Sequence, residues 1–145
     1  FDGHEYTLDF KAAGRAAEYQ MNIRAPDEVA ADQLSETVVH VNVFNGSERS
    51  TVEFQLGESD EWLAMERIVI ADPAYQAVVA AEQKLLEREP SWRKLHRPVP
   101  CAHFWQALLP GGAEPGTYTL RVRTTDMHGR TLTADRIVRV TADAD

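Results

Sequence analysis

An aspartate and a histidine lie two residues apart in the stretch RTTDMHGRT, residues 123–131, next to a glycine. Asp126 and His128 could serve as two metal ligands, or as the acid and base of a hydrolytic site. The same residues also fit the corner of a β-hairpin, where Asp begins a type I turn and Gly ends it. Because alternating strands flank this stretch on both sides, we predict that Asp126, His128 and Gly129 form a hairpin turn.

The other candidates for chemistry are dispersed along the chain. None of the remaining histidines has a second histidine at the i+2 or i+4 spacing of a metal site. These are His4, His40, His96 and His103. We predict His40 on the solvent face of a strand and His103 as a packed, hydrogen-bonded residue, with a pocket position as the alternative. No glycine-rich phosphate loop, G-x-S-x-G or H-E-x-x-H motif is present. We therefore predict no catalytic residue, metal ligand or cofactor site in this chain.

Length and composition fit one globular domain over residues 1–145. Hydrophobic residues make up 43% of the chain and charged residues 26%, and a chain this long can bury a substantial core. No apolar run approaches the ~20 residues that a membrane-spanning helix requires, so no membrane span is expected. The single cysteine, Cys101, excludes an internal disulfide and a Cys-rich zinc site.

The charge is acidic and unevenly distributed. The formal charge is −8, and residues 1–60 carry four Lys/Arg against twelve Asp/Glu. Nucleic acid is therefore not an expected partner. Five arginines nevertheless cluster in the sequence: Arg121, Arg123, Arg130, Arg136 and Arg139. We predict that they form a solvated strand face, and a local contact with an anion or an acidic surface remains the alternative.

The dominant hydrophobic period is two, which predicts half-buried antiparallel strands. The clearest runs are VVHVNVF (38–44), TVEFQL (51–56) and TYTLRVRT (117–124), and weaker ones are EYQMNI (18–23), EWLAMERIVI (61–70), AHFWQALL (102–109) and RTLTADRIVRV (130–140). Short turns between such strands favour a β-sandwich. The Asn-Gly pair in NGSERS (45–50) predicts a hairpin between the first two runs.

One segment has a helical pattern. In DPAYQAVVAAEQKLLERE, Asp72 is a plausible N-cap, Pro73 fits the first helical position, and Pro90 ends the pattern. We predict one helix over about residues 74–88. A single helix inserted in a sandwich is expected to pack across a sheet edge or an open end.

The three tryptophans have different neighbours. Trp62 and Trp105 are flanked by apolar residues and are predicted in the core. Trp92 lies between Ser91 and Arg93, so we expect it either to be exposed or to dock the helix. An exposed tryptophan is a weak indication of carbohydrate binding.

Several blocks together carry a family resemblance. These are YQMNI (19–23), VVHVNVFNGSERSTVEFQL (38–56), DPAY (72–75) and HFWQALLPGGAEPGTYTLRVRTTDMHGRT (103–131). In this order they resemble the C-terminal domain of bacterial calcineurin-like phosphoesterases over about residues 19–140, with residues 1–18 as a linker or edge strand. The last block also resembles the closing hairpin of bacterial Ig-like modules. The expected fold is thus a mostly-β, antiparallel Ig-like β-sandwich with one inserted helix.

The resemblance implies a larger, exported enzyme, periplasmic or extracellular, whose two divalent metals lie in a separate catalytic domain. This chain lacks the Asp, His and Asn motifs of that domain. It would be a non-catalytic accessory domain that packs on, or frames, the catalytic domain of the same polypeptide. The alternative is an independent Ig-like ligand-binding, glycan-binding or adhesion module. Weak ligand or interface candidates are Trp92, His103, Arg121 and Arg123. A self-sufficient hydrolase that uses Asp126 and His128 is the third hypothesis.

Overall fold

The computed structural model describes Gly3 and residues 9–143, and the described residues form nine strands, one α-helix and one 3₁₀ helix. The strands are β1 (Met21–Arg24), β2 (Glu28–Ala30), β3 (Val38–Val43), β4 (Thr51–Leu56), β5 (Leu63–Ala64), β6 (Glu66–Ile70), β7 (Cys101–Leu108), β8 (Gly116–Thr125) and β9 (Thr131–Thr141). The helix α1 spans Pro73–Leu86, and the 3₁₀ helix spans Ala31–Glu36. Residues 9–18 contain turns and irregular backbone. The rest of the predicted linker or edge strand, including His4, lies outside the described residues.

The strands form two sheets, which confirms the predicted mostly-β sandwich with one helix. One sheet has four strands in the order β1-β3-β7-β6, and the other has five in the order β2-β9-β8-β4-β5. Every described pair is antiparallel except β2 with β9, which is parallel.

The core lies between the sheets and follows the predicted alternation. In β3 the inward side chains are Val39, Val41 and Val43, and in β8 they include Leu120 and Val122; all are buried. Burying apolar surface of this kind is the main favourable term in folding. Trp105 on β7 is also buried among them, as predicted.

The predicted hairpin at NGSERS is wrong. β3 belongs to the four-stranded sheet and β4 to the five-stranded sheet, so residues 44–50 form an arch between the sheets. The Gly46 N–H donates to the Val43 carbonyl at 2.9 Å, which makes the local turn that Asn-Gly predicts. Turn chemistry gives the change of direction, but it does not decide whether the next strand pairs with the previous one or crosses the core.

The single strand predicted over residues 61–70 is two strands in different sheets. β5 pairs with β4, whereas β6 pairs with β7. Met65 lies between them, is buried, and donates its N–H to the Val52 carbonyl at 2.9 Å. Within residues 61–70 only Met65 is buried, and the partly buried residues on either side of it continue one apolar run, so the sequence pattern does not reveal the change of sheet.

The helix α1 begins as predicted and ends two residues early. The Asp72 carboxylate accepts a hydrogen bond from the Ala74 N–H at 2.8 Å, with Pro73 at the first helical position. No residue of α1 is buried. The predicted apolar stripe divides into a half-buried face with Tyr75 and Val79 and an exposed face with Val78 and Leu85. Val78 and Val79 are consecutive, so their side chains point 100° apart around the helix.

Residues 71–100, here called the helical excursion, connect two strands that are direct neighbours. Ile70 at the end of β6 pairs with Cys101 at the start of β7, so the excursion leaves and re-enters the sheet at one point. It crosses the outer face of the four-stranded sheet, because Asp72 lies 3.6 Å from the Arg24 guanidinium on β1, the far edge strand. Phe104 alternates with the inward Trp105 and is nevertheless wholly buried, and we infer that the excursion covers it.

Candidate functional site

The hairpin tip that contains Asp126 and His128 is a turn, as predicted. The Gly129 N–H donates to the Asp126 carbonyl at 3.0 Å, and the Asp126 N–H donates to the Arg130 carbonyl at 2.9 Å. The Asp126 carboxylate accepts from the N–H groups of His128 and Arg130 at 2.8 and 2.9 Å. Gly129 has φ +79°, the conformation that the bulge after a type I turn requires. The carboxylate is therefore occupied by the turn, and the His128 side chain is exposed.

Asp126 also forms an ion pair at the hairpin tip. Its carboxylate is 12% exposed and lies 2.6 Å from the Arg130 guanidinium, which contacts Asp9 at the same distance. Burial on its own raises the pKa of Asp126. The hydrogen bonds from the Arg130 backbone and side chain, the His128 N–H bond and the Arg130 charge outweigh it, so the pKa is lowered. The pKa of Arg130 is raised, first by its hydrogen bond to Asp126 and then by the one to Asp9.

Asp126→Ala is expected to lower the free energy of unfolding by about 1 kcal/mol at neutral pH, through lost turn hydrogen bonds. The pKa of Asp126 is lowered in the folded state. Its contribution to the free energy of unfolding is therefore complete at any pH above the pKa that the carboxyl has in the unfolded chain. It is lost as the pH falls through the folded value, below about 4. Urea unfolding of both proteins should therefore show a difference that shrinks in acid. His128→Ala is the control and should change little; an equal loss for both variants would contradict the turn assignment.

Gly129→Ala is expected to cost about 1–2 kcal/mol, because an L-residue with a Cβ is strained at positive φ. A Cβ at this position would meet nothing within 4 Å, so the whole cost is conformational. Gly129→Asn is the matched variant, and since Asn tolerates the left-handed region its loss should be smaller. Thermal unfolding of the two variants tests this order, and a larger loss for Asn would contradict it.

The described histidines do not form a cluster. His103 is exposed, so its prediction as a packed residue is wrong; it lies near the start of β7, at the end of the sandwich, where nothing covers it. His40 lies on the outer face of the four-stranded sheet, as predicted. It is half-buried there, and its pKa is lowered by burial. Among the residues that the structure describes, no group of three or more His, Cys, Asp or Glu side chains could hold a metal ion.

The arginine cluster is an ion-paired surface. The pairs are Arg121–Asp135, Arg123–Glu53, Arg130–Asp126, Arg136–Asp27 and Arg139–Glu28. A carboxylate next to each guanidinium offsets its attraction for an external anion. The prediction of one shared strand face needs a correction, because Arg136 is at an inward position of β9 and donates to Asp27 at the sandwich edge at 2.7 Å.

Trp62 differs from its prediction as a core residue. It is partly exposed, and the Arg123 guanidinium carbon lies 4.1 Å from its ring centroid, which is a cation–π contact. Arg123 also donates to Glu53 at 2.8 Å. The apolar neighbours of Trp62 belong to β5, which is only two residues long and lies at the sheet edge, so the core cannot cover the indole.

Trp92 is 55% exposed and lies in the helical excursion. Residues 91–99, here called the returning segment, follow α1 and lead back to β7. Two hydrogen bonds fix this segment to α1: the Tyr75 hydroxyl donates to the His96 carbonyl, and the Leu95 N–H donates to the Glu82 carboxylate, both at 2.9 Å. Trp92 is therefore exposed and does not dock the helix. The sequence pattern did not predict that the excursion exposes a large part of its side chains. The available signal was its four cationic residues between positions 88 and 97 in an acidic chain.

These observations define a mostly-β sandwich domain with one helical excursion between two neighbouring strands of the four-stranded sheet. No described helix is long and apolar enough to cross a membrane.

The chain belongs to the family described as the C terminal of calcineurin-like phosphoesterase, whose model matches residues 1–132. This match begins and ends earlier than the resemblance seen in the sequence, at about 19–140. No curated protein and no solved structure matched the chain significantly.

Proposed function

We propose that this chain is a non-catalytic accessory domain of an exported, metal-dependent phosphoesterase, and that it packs on the catalytic domain of the same polypeptide. The family match over residues 1–132 is the observation that carries this proposal, since it assigns the chain to the C-terminal part of such enzymes. A periplasmic or extracellular location and divalent metals in the catalytic domain of the parent are parts of the same proposal.

The side chains available for chemistry support the non-catalytic role. Two-metal hydrolysis requires several carboxylate, imidazole and amide ligands that converge on one site and leave a position open for water. Asp126 and His128 lie in a turn, where the Asp126 carboxylate is occupied by two backbone N–H groups and the Arg130 guanidinium. The described carboxylates of the arginine cluster are held in ion pairs.

Deletion of this domain from the parent polypeptide tests the proposal. We expect lower phosphoesterase activity and faster thermal inactivation, because an interdomain contact that steadies the catalytic domain is lost. Activity and inactivation rate are measured at equal concentrations of metal-loaded protein. A truncated parent with undiminished activity and unchanged inactivation would contradict the accessory role.

The second candidate is an independent Ig-like ligand-binding, glycan-binding or adhesion module. It is favoured by an open groove of about 720 Å³ on the five-stranded sheet, whose lining includes Tyr118, Arg121 and Gln55, and by the exposed Trp92. Aromatic rings and polar groups together suit a sugar. Calorimetric titration with soluble oligosaccharides separates the two candidates: saturable binding that Tyr118→Ala or Trp92→Ala abolishes supports the module, and absence of binding counts against it.

A further inference from the structure

The helical excursion concentrates exposed apolar side chains. Five of the ten exposed large hydrophobic residues in the described part of the chain lie in it. These are Val78, Leu85, Trp92, Leu95 and Val99. Val78 and Leu85 are seven residues apart and so lie on the same side of α1, at 53% and 48% exposure. A concentration of exposed apolar side chains in one segment is typical of a contact with another protein surface.

The same excursion carries unpaired positive charge. Between residues 88 and 97 there are four cationic side chains and one acidic one, in a chain whose formal charge is −8. The cations are Arg88, Arg93, Lys94 and Arg97. None of them forms an ion pair with a described residue, whereas the arginines on the five-stranded sheet are paired. An apolar stripe next to free cations fits a partner surface that is apolar with an acidic rim.

The backbone of the returning segment is also incompletely satisfied. From Ser91 to Val99, the N–H groups that donate to described residues are those of Trp92 and Leu95. The segment is exposed almost throughout. Without a partner its remaining amides are free to exchange with solvent.

The excursion begins and ends at the same end of the sandwich as the first residue of β1. Ile70 pairs with Cys101 at this end of the four-stranded sheet, and Met21, the first residue of β1, pairs with Val43 at the end of β3. The preceding residues are fixed there as well. The Asp9 carboxylate pairs with Arg130 at the hairpin tip, and the Phe10 ring lies 4.9 Å from that of Phe44. The described start of the chain and the base of the excursion therefore lie at the same end of the sandwich.

We propose that the helical excursion is the docking element through which this domain contacts the catalytic domain of its own polypeptide, on a surface that is apolar and acidic at its rim. This inference rests on the proposed function. The C-terminal place of the family in its parent enzyme makes the contact intramolecular, which raises the effective concentration of the partner surface. A second copy of this chain has no such advantage.

Hydrogen exchange of the whole parent polypeptide tests the docking element. We expect the amides of residues 91–99 to exchange at least about tenfold more slowly than unprotected amides. The double variant Val78→Asp/Leu85→Asp and the charge reversal Arg93→Glu/Lys94→Glu/Arg97→Glu should each restore fast exchange. Ile137→Asp is the matched control, since Ile137 is 57% exposed on β9 of the other sheet, and it should leave the protection unchanged.

The outcomes separate this inference from the proposed function. Unaltered protection of the β8–β9 hairpin shows that a variant is folded. If residues 91–99 exchange fast in the wild-type parent while deletion of the domain still lowers activity, the docking element is wrong and the accessory role stands. If deletion also has no effect, the accessory role fails. Protection that disappears on dilution would identify a second copy as the occupant and overturn the inference.

Discussion

Phe104→Ala is expected to lower the free energy of unfolding by about 3–5 kcal/mol, the loss typical of a buried aromatic side chain that leaves a cavity. Phe104 is wholly buried although it points away from the core between the sheets. We infer that the helical excursion covers its ring, so the substitution is expected to remove apolar support of α1 on the sheet. Urea unfolding gives the size of the loss, and hydrogen exchange should show α1 opening before the sandwich.

His103→Ala is the neighbouring control for this prediction, because His103 is exposed and exposed substitutions usually change stability by no more than about 0.5 kcal/mol. A similarly small loss for Phe104→Ala would mean that the excursion does not cover this face of the sheet. The docking element would then lack a fixed position.

Gly46→Ala is expected to destabilise the protein by about 1–3 kcal/mol through overpacking. A Cβ on Gly46 would lie 2.6 Å from Cη2 and 2.8 Å from Cζ3 of Trp105. The indole is buried and rigid, and the Val43 carbonyl lies 3.0 Å away on another side, so neither the ring nor the arch can yield easily. Thermal unfolding measures the effect.

Gly111→Ala provides the comparison for Gly46. Its nearest neighbour would be the Ser35 Cβ at 3.6 Å, an ordinary contact, so we expect a much smaller change in stability. Equal stability of both variants would show that the arch does not pack closely on Trp105.

The strands and the hairpin tip could be predicted because their causes are local. Alternation in Val39, Val41 and Val43 follows from one face meeting the core, and the turn at Asp126 follows from its side chain bonding the next backbone groups. The arch at Gly46 and the change of sheet at Met65 were not predictable in this way. They depend on which sheet a strand joins, and alternation is the same in either sheet.

The candidate site was predicted less well because burial depends on distant neighbours. His103 and Trp62 have apolar neighbours in sequence, yet His103 is exposed near the start of a strand, and Trp62 lies at a sheet edge where its ring contacts the Arg123 guanidinium instead of the core. Phe104 is buried outside the core between the sheets, and the cover that we infer for it comes from a segment that begins more than thirty positions earlier, at residue 71. Only Trp92, flanked by Ser91 and Arg93, carried a local sign of exposure.

The most direct test of the non-catalytic role is a hydrolysis assay of this chain beside its full-length parent. Both proteins are incubated with a general phosphomonoester and phosphodiester, with Mn²⁺, Mg²⁺ or Zn²⁺ added. We expect turnover by the parent alone, since the Asp126 carboxylate is held in its turn and no described group of ligands could hold a metal. Metal-dependent turnover by this chain on its own, lost in an Asp126→Ala/His128→Ala variant that still folds, would contradict the accessory role.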